Sequence, residues 1–114
     1  MTMRLRFASP LLLVALAACQ ATVVPRPGAV SVPPRDPRCT VEFWSVAERP
    51  SRPLDELADI KVLVSPAAPN PYALRELMRD KACAVGADAI VDLHEEVGPT
   101  ETRLVGTAVR YRPQ

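Results

Sequence analysis

A short apolar segment near the amino terminus decides how much of this chain is left to form a folded domain. Residues 11–18 (LLLVALAA) are continuously apolar and follow two arginines, Arg4 and Arg6. The run is too short to cross a bilayer of about 30 Å as a helix, and a basic segment before such a run is typical of a cleavable signal peptide. Residues 1–18 are therefore predicted to be removed, which leaves about 96 of the 114 residues.

The residues that end this segment are Leu16, Ala17, Ala18 and Cys19. They resemble the lipobox of bacterial lipoproteins, in which a peptidase cuts before a cysteine that already carries a diacylglycerol thioether. The resemblance implies that Cys19 is lipidated and that the three residues before it are recognised by the signal peptidase. Several acyl chains on one residue would anchor the protein stably to a membrane. The alternatives are an ordinary signal peptide that happens to contain a cysteine, or an uncleaved anchor.

Gln20 and the residues after it bear on where the protein is held. In the enterobacterial sorting pattern, an aspartate after the lipidated cysteine retains a lipoprotein in the inner membrane. Gln20 therefore implies an outer-membrane lipoprotein that faces the periplasm or the cell surface. Residues 21–38 contain five prolines and offer little to bury. We expect an extended, polyproline-like tether over residues 19–38, although such segments also bind aromatic grooves.

Two segments in the first half of residues 39–114 predict strands. Residues 40–46 (TVEFWSV) are rich in β-branched and aromatic side chains. Residues 58–64 (ADIKVLV) alternate, which places Ile60 on one face and Asp59 on the other. The two prolines in the RPSRP segment between them interrupt any strand.

A helix is predicted over residues 71–85. Asn70 is a favourable N-cap, and Pro71 suits the first helical position because its missing N–H would have no partner there. Apolar residues then recur at helical spacing: Leu74, Leu77, Met78, Ala82 and Val85. Gly86 is the residue expected just after the carboxyl end.

Two further strands are predicted over residues 87–94 and 103–111, with Gly106 indicating a bulge or a close approach of backbone. The predicted order is β-β-α-β-β, with one helix packed on a mainly antiparallel sheet, and the fold class is α+β. This domain would occupy residues 39–114, after the signal peptide and the tether. A core of about 75 residues is only marginally stabilising, so a covalent or oligomeric tie is expected to help.

The end of the helix and the last strand also carry a family resemblance. Residues 81–91 (KACAVGADAIV) and 106–111 (GTAVRY) resemble a pattern found in the YbjQ-like family, which is described as heavy-metal-binding. The pattern is also similar to the globular domain of RcsF-type outer-membrane lipoproteins, which sense envelope stress. The resemblance implies the fold, with Asp88 as a cap or turn. The chain lacks the fuller cysteine set of the RcsF group, so that signalling role is not carried over.

With Cys19 lipidated, Cys39 and Cys83 remain. In an oxidising compartment an even pair of cysteines in a small domain usually forms a disulfide. A helical wheel places Cys83 away from the core stripe, so we expect the bond to hold the end of the tether over the outer face of the helix. The alternatives are two free thiols or a redox pair, and the absence of a C-x-x-C motif argues against redox catalysis.

The remaining chemistry-bearing residues favour no catalytic site. Residues 92–96 (DLHEE) hold the only histidine, His94. One interpretation of this segment is a metal site, but a structural zinc site takes four ligands. The simpler interpretation is a polar strand end that enters a loop. Asp55, Glu56 and Asp59 are too dispersed for general acid–base catalysis and are interpreted as a solvated turn. With no nucleophile triad, phosphate loop or nucleotide motif, no enzyme activity, cofactor or metal is predicted.

Charge indicates no particular partner. The net charge of +1, the scattered basic residues and the 4% of aromatic residues leave no footprint of nucleic-acid binding. The sequence predicts a non-catalytic lipoprotein whose small domain binds an envelope protein, supports the envelope or reports on its state. The alternative is a metal-binding or metal-homeostasis module, and the oligomeric state is left open.

Overall fold

The strands of this chain form one mixed sheet, and both of its edges come from the first half of the chain. The computed structural model describes residues 21–64 and 71–113. Within these residues the elements are β1 (Ala21–Pro25), β2 (Glu42–Ser45), β3 (Leu54–Val64), α1 (Pro71–Ala84), β4 (Ala89–Val97) and β5 (Thr102–Tyr111). Across the sheet the order is β1-β3-β5-β4-β2. Neighbouring strands are antiparallel, apart from the parallel pair β2 and β4.

Over the described residues the α+β class is confirmed, with one helix packed on a sheet in which three of the four strand pairs are antiparallel. The prediction was wrong at the start of β3, which begins at Leu54 rather than at residue 58. Asp55 and Glu56 therefore lie in a strand and not in a solvated turn. A bulge between Glu56 and Ala58 interrupts the register, and this hid the first part of the strand from a search for strict alternation.

The amino-terminal part of the expected tether is a strand of the sheet. Residues 21–25 form β1, which pairs with β3 over its whole length, from Ala21 opposite Val62 to Pro25 opposite Ala58. Proline is tolerated here because β1 is an edge strand, where a missing N–H need not face a partner. The predicted order β-β-α-β-β lacked this first strand, and the domain begins well before residue 39.

The rest of the proline-rich segment packs against the carboxyl end of α1. The Arg35 N–H donates to the Cys83 carbonyl oxygen at 2.8 Å, and Val32 packs against the core. Gly86 follows the helix with a left-handed φ of 83°. A Cβ at Gly86 would lie 2.6 Å from both the Pro33 oxygen and a Val32 methyl group. Glycine is required here both by the turn and by the close approach of this segment.

The main core lies between α1 and one face of the sheet. Its fully buried residues are Ile60, Val62, Met78, Ala82, Cys83, Ala87, Ile90 and Ala108. Gly106 lies beneath the helix, where a Cβ would clash with the Ile90 side chain and lie 3.3 Å from the Met78 methyl group. Of the two alternatives predicted for Gly106, the structure shows the close approach.

Cys39 and Cys83 form the predicted disulfide, with their Cα atoms 6.0 Å apart. The placement of Cys83 on the outer face of the helix was wrong, because its side chain is 0% exposed and that of Cys39 only 9%. The helical wheel assumed that α1 packs on one side, whereas the segment before Cys39 covers a second side. The bond is therefore a core contact that ties the proline-rich segment to the helix.

The two ends of the sheet are named here after Val97 and Tyr111. At the Val97 end, β1 begins at Ala21, β3 ends at Val64, β4 ends at Val97 and β5 begins at Thr102. At the Tyr111 end, β3 and β4 begin and β5 ends. Because α1 connects the end of β3 to the start of β4, it runs from the Val97 end towards the Tyr111 end.

Loss of the disulfide is expected to destabilise the domain strongly. In a Cys39→Ala/Cys83→Ala double variant, no bond closes the loop across a sequence separation of 44, so the free energy of unfolding should fall by about 3–4 kcal/mol. Equilibrium unfolding in urea measures this difference.

The matched control for this prediction is the wild-type domain after reduction, which should unfold like the double variant. Its intact mass should exceed that of the oxidised domain by two hydrogen atoms. Equal masses before and after reduction, or equal unfolding midpoints for all three samples, would contradict the structural role of the bond.

Candidate functional site

The predicted lipobox lies outside the part of the chain that the structure describes. Its residues are Leu16, Ala17, Ala18 and Cys19, and all four precede Ala21. The predicted cysteine pair is joined in the core, and His94 lies on β4 towards the Val97 end. Within the described domain, paired polar side chains also gather on the face of the sheet opposite α1 and at the Tyr111 end.

A chain of ion pairs crosses the face of the sheet opposite α1. Arg26, directly after β1, pairs with Glu56 at 3.0 Å and with Asp59 at 3.1 Å. Arg49, in the connection between β2 and β3, pairs with the same Glu56 at 3.1 Å and with Asp92 on β4 at 3.6 Å. Because β5 lies between β3 and β4, the Arg49 side chain spans β5. The connection from β2 to β3 therefore crosses this face.

A second, smaller apolar cluster lies on the same face. Its members are Ala89, Val91 and Val109, which are 0% exposed, with Trp44, Leu54 and Tyr111 packed against them. Thr107, also on this face, donates its hydroxyl to Asp59 at 3.1 Å. The ion pairs and the connection thus cover a partly apolar surface that would otherwise face water. The guanidinium-bearing side chains of Arg26 and Arg49 stay 38% and 47% exposed.

Sequence reasoning missed this network because its members are distant in the chain. Arg26 and Asp59 are 33 residues apart, and they meet only because β1 lies beside β3. The alternation of β3 did place Asp59 on the face away from Ile60. Exposed ion pairs of this kind contribute roughly 0–1 kcal/mol each. The network therefore positions the segments that carry the arginines more than it stabilises the core.

A bulge divides the DLHEE segment. Asp92 has a left-handed φ of 56°, and the register of β4 against β5 shifts between Val91 and His94. The His94 Nδ1 donates to the Asp92 carbonyl oxygen at 2.6 Å, and its Nε2 lies 3.4 Å from a Glu96 carboxylate oxygen. Glu95 follows on the opposite face of the strand. Within residues 21–64 and 71–113, no three His, Cys, Asp or Glu side chains are grouped so that they would hold a metal ion.

The Tyr111 end carries a shallow polar groove of about 390 Å³. The Tyr111 hydroxyl donates to Glu42, and the Trp44 Nε1 donates to the same carboxylate at 3.1 Å. The guanidinium of Arg52 lies over the Tyr111 ring, 4.0 Å from the ring centroid, which is cation–π geometry. The polar groups at the centre of the groove therefore already satisfy one another.

Asp88 joins the segments that meet at this end. Its carboxylate accepts the Tyr111 N–H at 2.8 Å and lies 3.4 Å from the Arg35 guanidinium. Its backbone N–H donates to the Val109 carbonyl oxygen at 2.8 Å, and its carbonyl accepts the Glu42 N–H at 3.2 Å. The aspartate of the GADA segment thus holds β2, β5 and the proline-rich segment together, beyond the cap or turn that the resemblance implied.

The protonation states of Glu42 and Tyr111 suit the groove to binding better than to proton transfer. Hydrogen bonds from Tyr111 and Trp44 hold the pKa of Glu42 below its usual value of 4.5. Burial, together with the bond to Glu42, raises the pKa of Tyr111 above its usual value of 10.0. Both shifts move the pKa away from neutrality, so the carboxylate and the phenol keep their ordinary forms. A general acid or base would need a pKa near the working pH.

Asp55 is expected to stabilise the domain at neutral pH and to lose this effect at acid pH. Hydrogen bonds from Arg112 and Arg110 hold the pKa of Asp55 below its usual value of 3.8. The stabilisation is therefore present above about pH 3.8 and is lost as the pH falls through the folded-state pKa. Asp55→Asn should lower the thermal unfolding midpoint at about pH 7, and the difference from wild type should narrow towards about pH 3.

Glu95→Gln is the matched control for this pH dependence. Glu95 is exposed on β4 and makes no ion pair within the described residues, so its replacement should leave the acid dependence unchanged. A loss of stability in Asp55→Asn that stays constant with pH would contradict the ionic origin of the effect.

Comparisons with protein-family models, with curated proteins and with solved structures found no match to this chain. In the part of the chain that the structure describes, no helix has the length and apolar character needed to cross a membrane.

Proposed function

We propose that the chain is a bacterial lipoprotein, anchored in the outer membrane through Cys19, with a small non-catalytic domain. The observation that carries the proposal is the order of features before Cys19. Arg4 and Arg6 come first, then the apolar residues 11–18, whose last three, Leu-Ala-Ala, directly precede the cysteine. A membrane is thus the first partner of this protein, and it is reached through the lipid on Cys19.

The disulfide supports a place outside the cytosol. Disulfides persist in oxidising compartments such as the periplasm and are rare in cytosolic proteins. The bond between Cys39 and Cys83 is buried in the core, as a structural bond would be. With Cys19 as the lipid-bearing residue, each of the three cysteines has a role.

The domain itself is proposed to bind an envelope component, to support the envelope or to report on its state. The face of the sheet opposite α1 and the Tyr111 end consist largely of arginines, carboxylates and a tyrosine that pair with each other. The hydroxyl groups of these surfaces, on Thr107 and Tyr111, donate to the carboxylates of Asp59 and Glu42. Such surfaces suit non-covalent contact with a protein or another polar partner. The resemblance to RcsF-type lipoproteins implies the fold and stays a prediction.

The anchor is tested with the full precursor and its Cys19→Ala variant in a bacterium that processes lipoproteins. The wild type should incorporate labelled palmitate, lose residues 1–18 and sediment with the outer membrane. The variant should keep these residues and incorporate no palmitate, because it has no thiol at the lipidation position. The Cys39→Ala/Cys83→Ala double variant is the matched control, since it lacks two cysteines and should still be labelled. Normal processing and labelling of Cys19→Ala would contradict the proposal.

Outer-membrane sorting is tested separately at Gln20. If the enterobacterial pattern applies, Gln20→Asp should shift the lipidated protein to the inner-membrane fraction of a density gradient. Gln20→Asn should leave it in the outer-membrane fraction, because it changes the side chain without adding charge. Equal distribution of both variants would contradict the role assigned to Gln20.

A metal-binding module is the second candidate, and the observation in its favour is the proximity of His94 and Glu96. Imidazole nitrogen and carboxylate oxygen are both zinc ligands, although two ligands make a weak site. Zinc titration of the mature domain and of His94→Ala separates the candidates. We expect no difference between them. Stoichiometric binding tighter than about 1 μM, or roughly −8 kcal/mol, that is lost in His94→Ala would favour the metal-binding role.

A further inference from the structure

We infer that the domain has no spacer and is held with its Val97 end against the phospholipid bilayer that carries the Cys19 lipid. The inference rests on the proposed function, because it requires Cys19 to be lipidated. It adds two points to that function. The Val97 end is the surface that contacts the membrane, and the contact is with zwitterionic phospholipid headgroups.

Covalent geometry limits how far the domain can stand from its anchor. Only Gln20 separates Cys19 from Ala21, the first residue of β1. Two successive residues span at most about 7 Å in any conformation. The headgroup layer of one leaflet is itself roughly 5–8 Å thick, from the difference between the whole bilayer and its hydrocarbon core. With the acyl chains of Cys19 in that core, Ala21 lies at the level of the headgroups.

The strand that begins at Ala21 is firmly part of the domain. All five residues of β1 pair with β3, and the side chains of Ala21 and Val23 pack against the main core. Immediately after β1, the Arg26 N–H donates to the Leu57 carbonyl oxygen at 3.0 Å. The ion pairs of the Arg26 side chain add a further link to β3. If β1 detached from the sheet to act as a flexible tether, all of these contacts would break together.

The Val97 end therefore turns towards the bilayer, and its exposed side chains suit that position. Val97 is 78% exposed beside the turn that joins β4 to β5. Tyr72, in the first turn of α1 at the same end, is also 78% exposed. Tyrosine has an apolar ring and a polar tip, and residues of this kind are favoured where hydrocarbon meets water.

The charges at this end indicate the type of headgroup. The carboxylates of Glu95, Glu96 and Glu101 outnumber the basic side chains of Lys61 and Arg103, and Arg103 pairs with Glu101. An anionic surface attracts basic segments and would repel this surplus of carboxylates. Headgroups that combine a phosphate with an ammonium group offer a partner for each sign. We therefore assign zwitterionic phospholipids with ammonium groups to this surface.

The Tyr111 end is then the part of the domain that faces away from the membrane. The nine residues of β4 span about 26 Å at about 3.3 Å per residue. The polar groove around Tyr111 and the carboxyl end of α1 would stand at about that height above the headgroups. An envelope partner that approaches from the aqueous side meets this end first.

The test places a photoreactive benzoylphenylalanine at one of two exposed valines in the full, lipidated protein. Val97→benzoylphenylalanine reports on the Val97 end. Val30→benzoylphenylalanine is the matched control, because Val30 lies in the segment after β1, and β1 runs away from the Val97 end towards the Tyr111 end. Val30 is 47% exposed, so both probes are accessible. After irradiation in vesicles of phosphatidylethanolamine, the probe at Val97 should crosslink to phospholipid several-fold more than the probe at Val30. Insertion of about ten Gly and Ser residues between Gln20 and Ala21, with a reach of about 17 Å, should reduce the difference.

The outcomes separate this inference from the proposed function. Palmitate labelling and intact mass are measured on the same samples. If the protein carries the lipid and both probes crosslink equally, the inference is wrong and the proposed function stands. If the protein carries no lipid, the proposed function fails and the inference fails with it. A spacer insertion that leaves a strong Val97 preference would also overturn the inference, because contact would then not depend on the short link.

Discussion

The disulfide between Cys39 and Cys83 is the constraint on which the rest of this structure depends. It joins the end of the proline-rich segment to the last turn of α1, and both sulfur-bearing side chains lie in the core. The segment before Cys39 is thereby held over the helix end, where Gly86 leaves room for it. A domain of this size gains little from its core alone, so a cross-link over a long loop has a large share in its stability. With the segment in place, β1 can complete the edge of the sheet.

The consequence for the proposed function is that the domain begins almost at Cys19, the residue proposed to carry the lipid. A chain with a free tether would sample many orientations and distances from the membrane, whereas β1 links the proposed anchor directly to the sheet. The two faces of the sheet are covered by different parts of the chain. One face packs on α1, and the other is covered by the connection from β2 to β3 through ion pairs of Arg49. In the proposed orientation, the Tyr111 end with its groove faces the aqueous side, where a partner would meet it.

Much of the fold follows from local patterns in the sequence. The helix was predictable because Pro71 and Gly86 mark its ends and because apolar residues recur at its period. The alternation around Ile60 identified the inner part of β3. With Cys19 set aside, two cysteines leave one intramolecular pairing, so the disulfide followed from counting. β1 was missed because it is short, lies among prolines and owes its structure to pairing with β3, a segment distant in the chain. The burial of Cys83 and the ion pairs of Arg26 were missed for the same reason, since each depends on where this segment packs. The sheet face and the groove could not be assembled from sequence, because their members meet only through the strand order.

The most direct test of the account is hydrogen exchange at the backbone amides of Arg26 and Arg35 in the oxidised mature domain. Both amides lie in the segment that would be a free tether by composition, yet they donate to Leu57 and Cys83 at 3.0 and 2.8 Å. The account predicts that both are protected to an extent comparable with amides of β5, and that reduction of the disulfide lowers the protection of Arg35. Exchange of both amides at the rate of an unstructured peptide in the oxidised domain would contradict it.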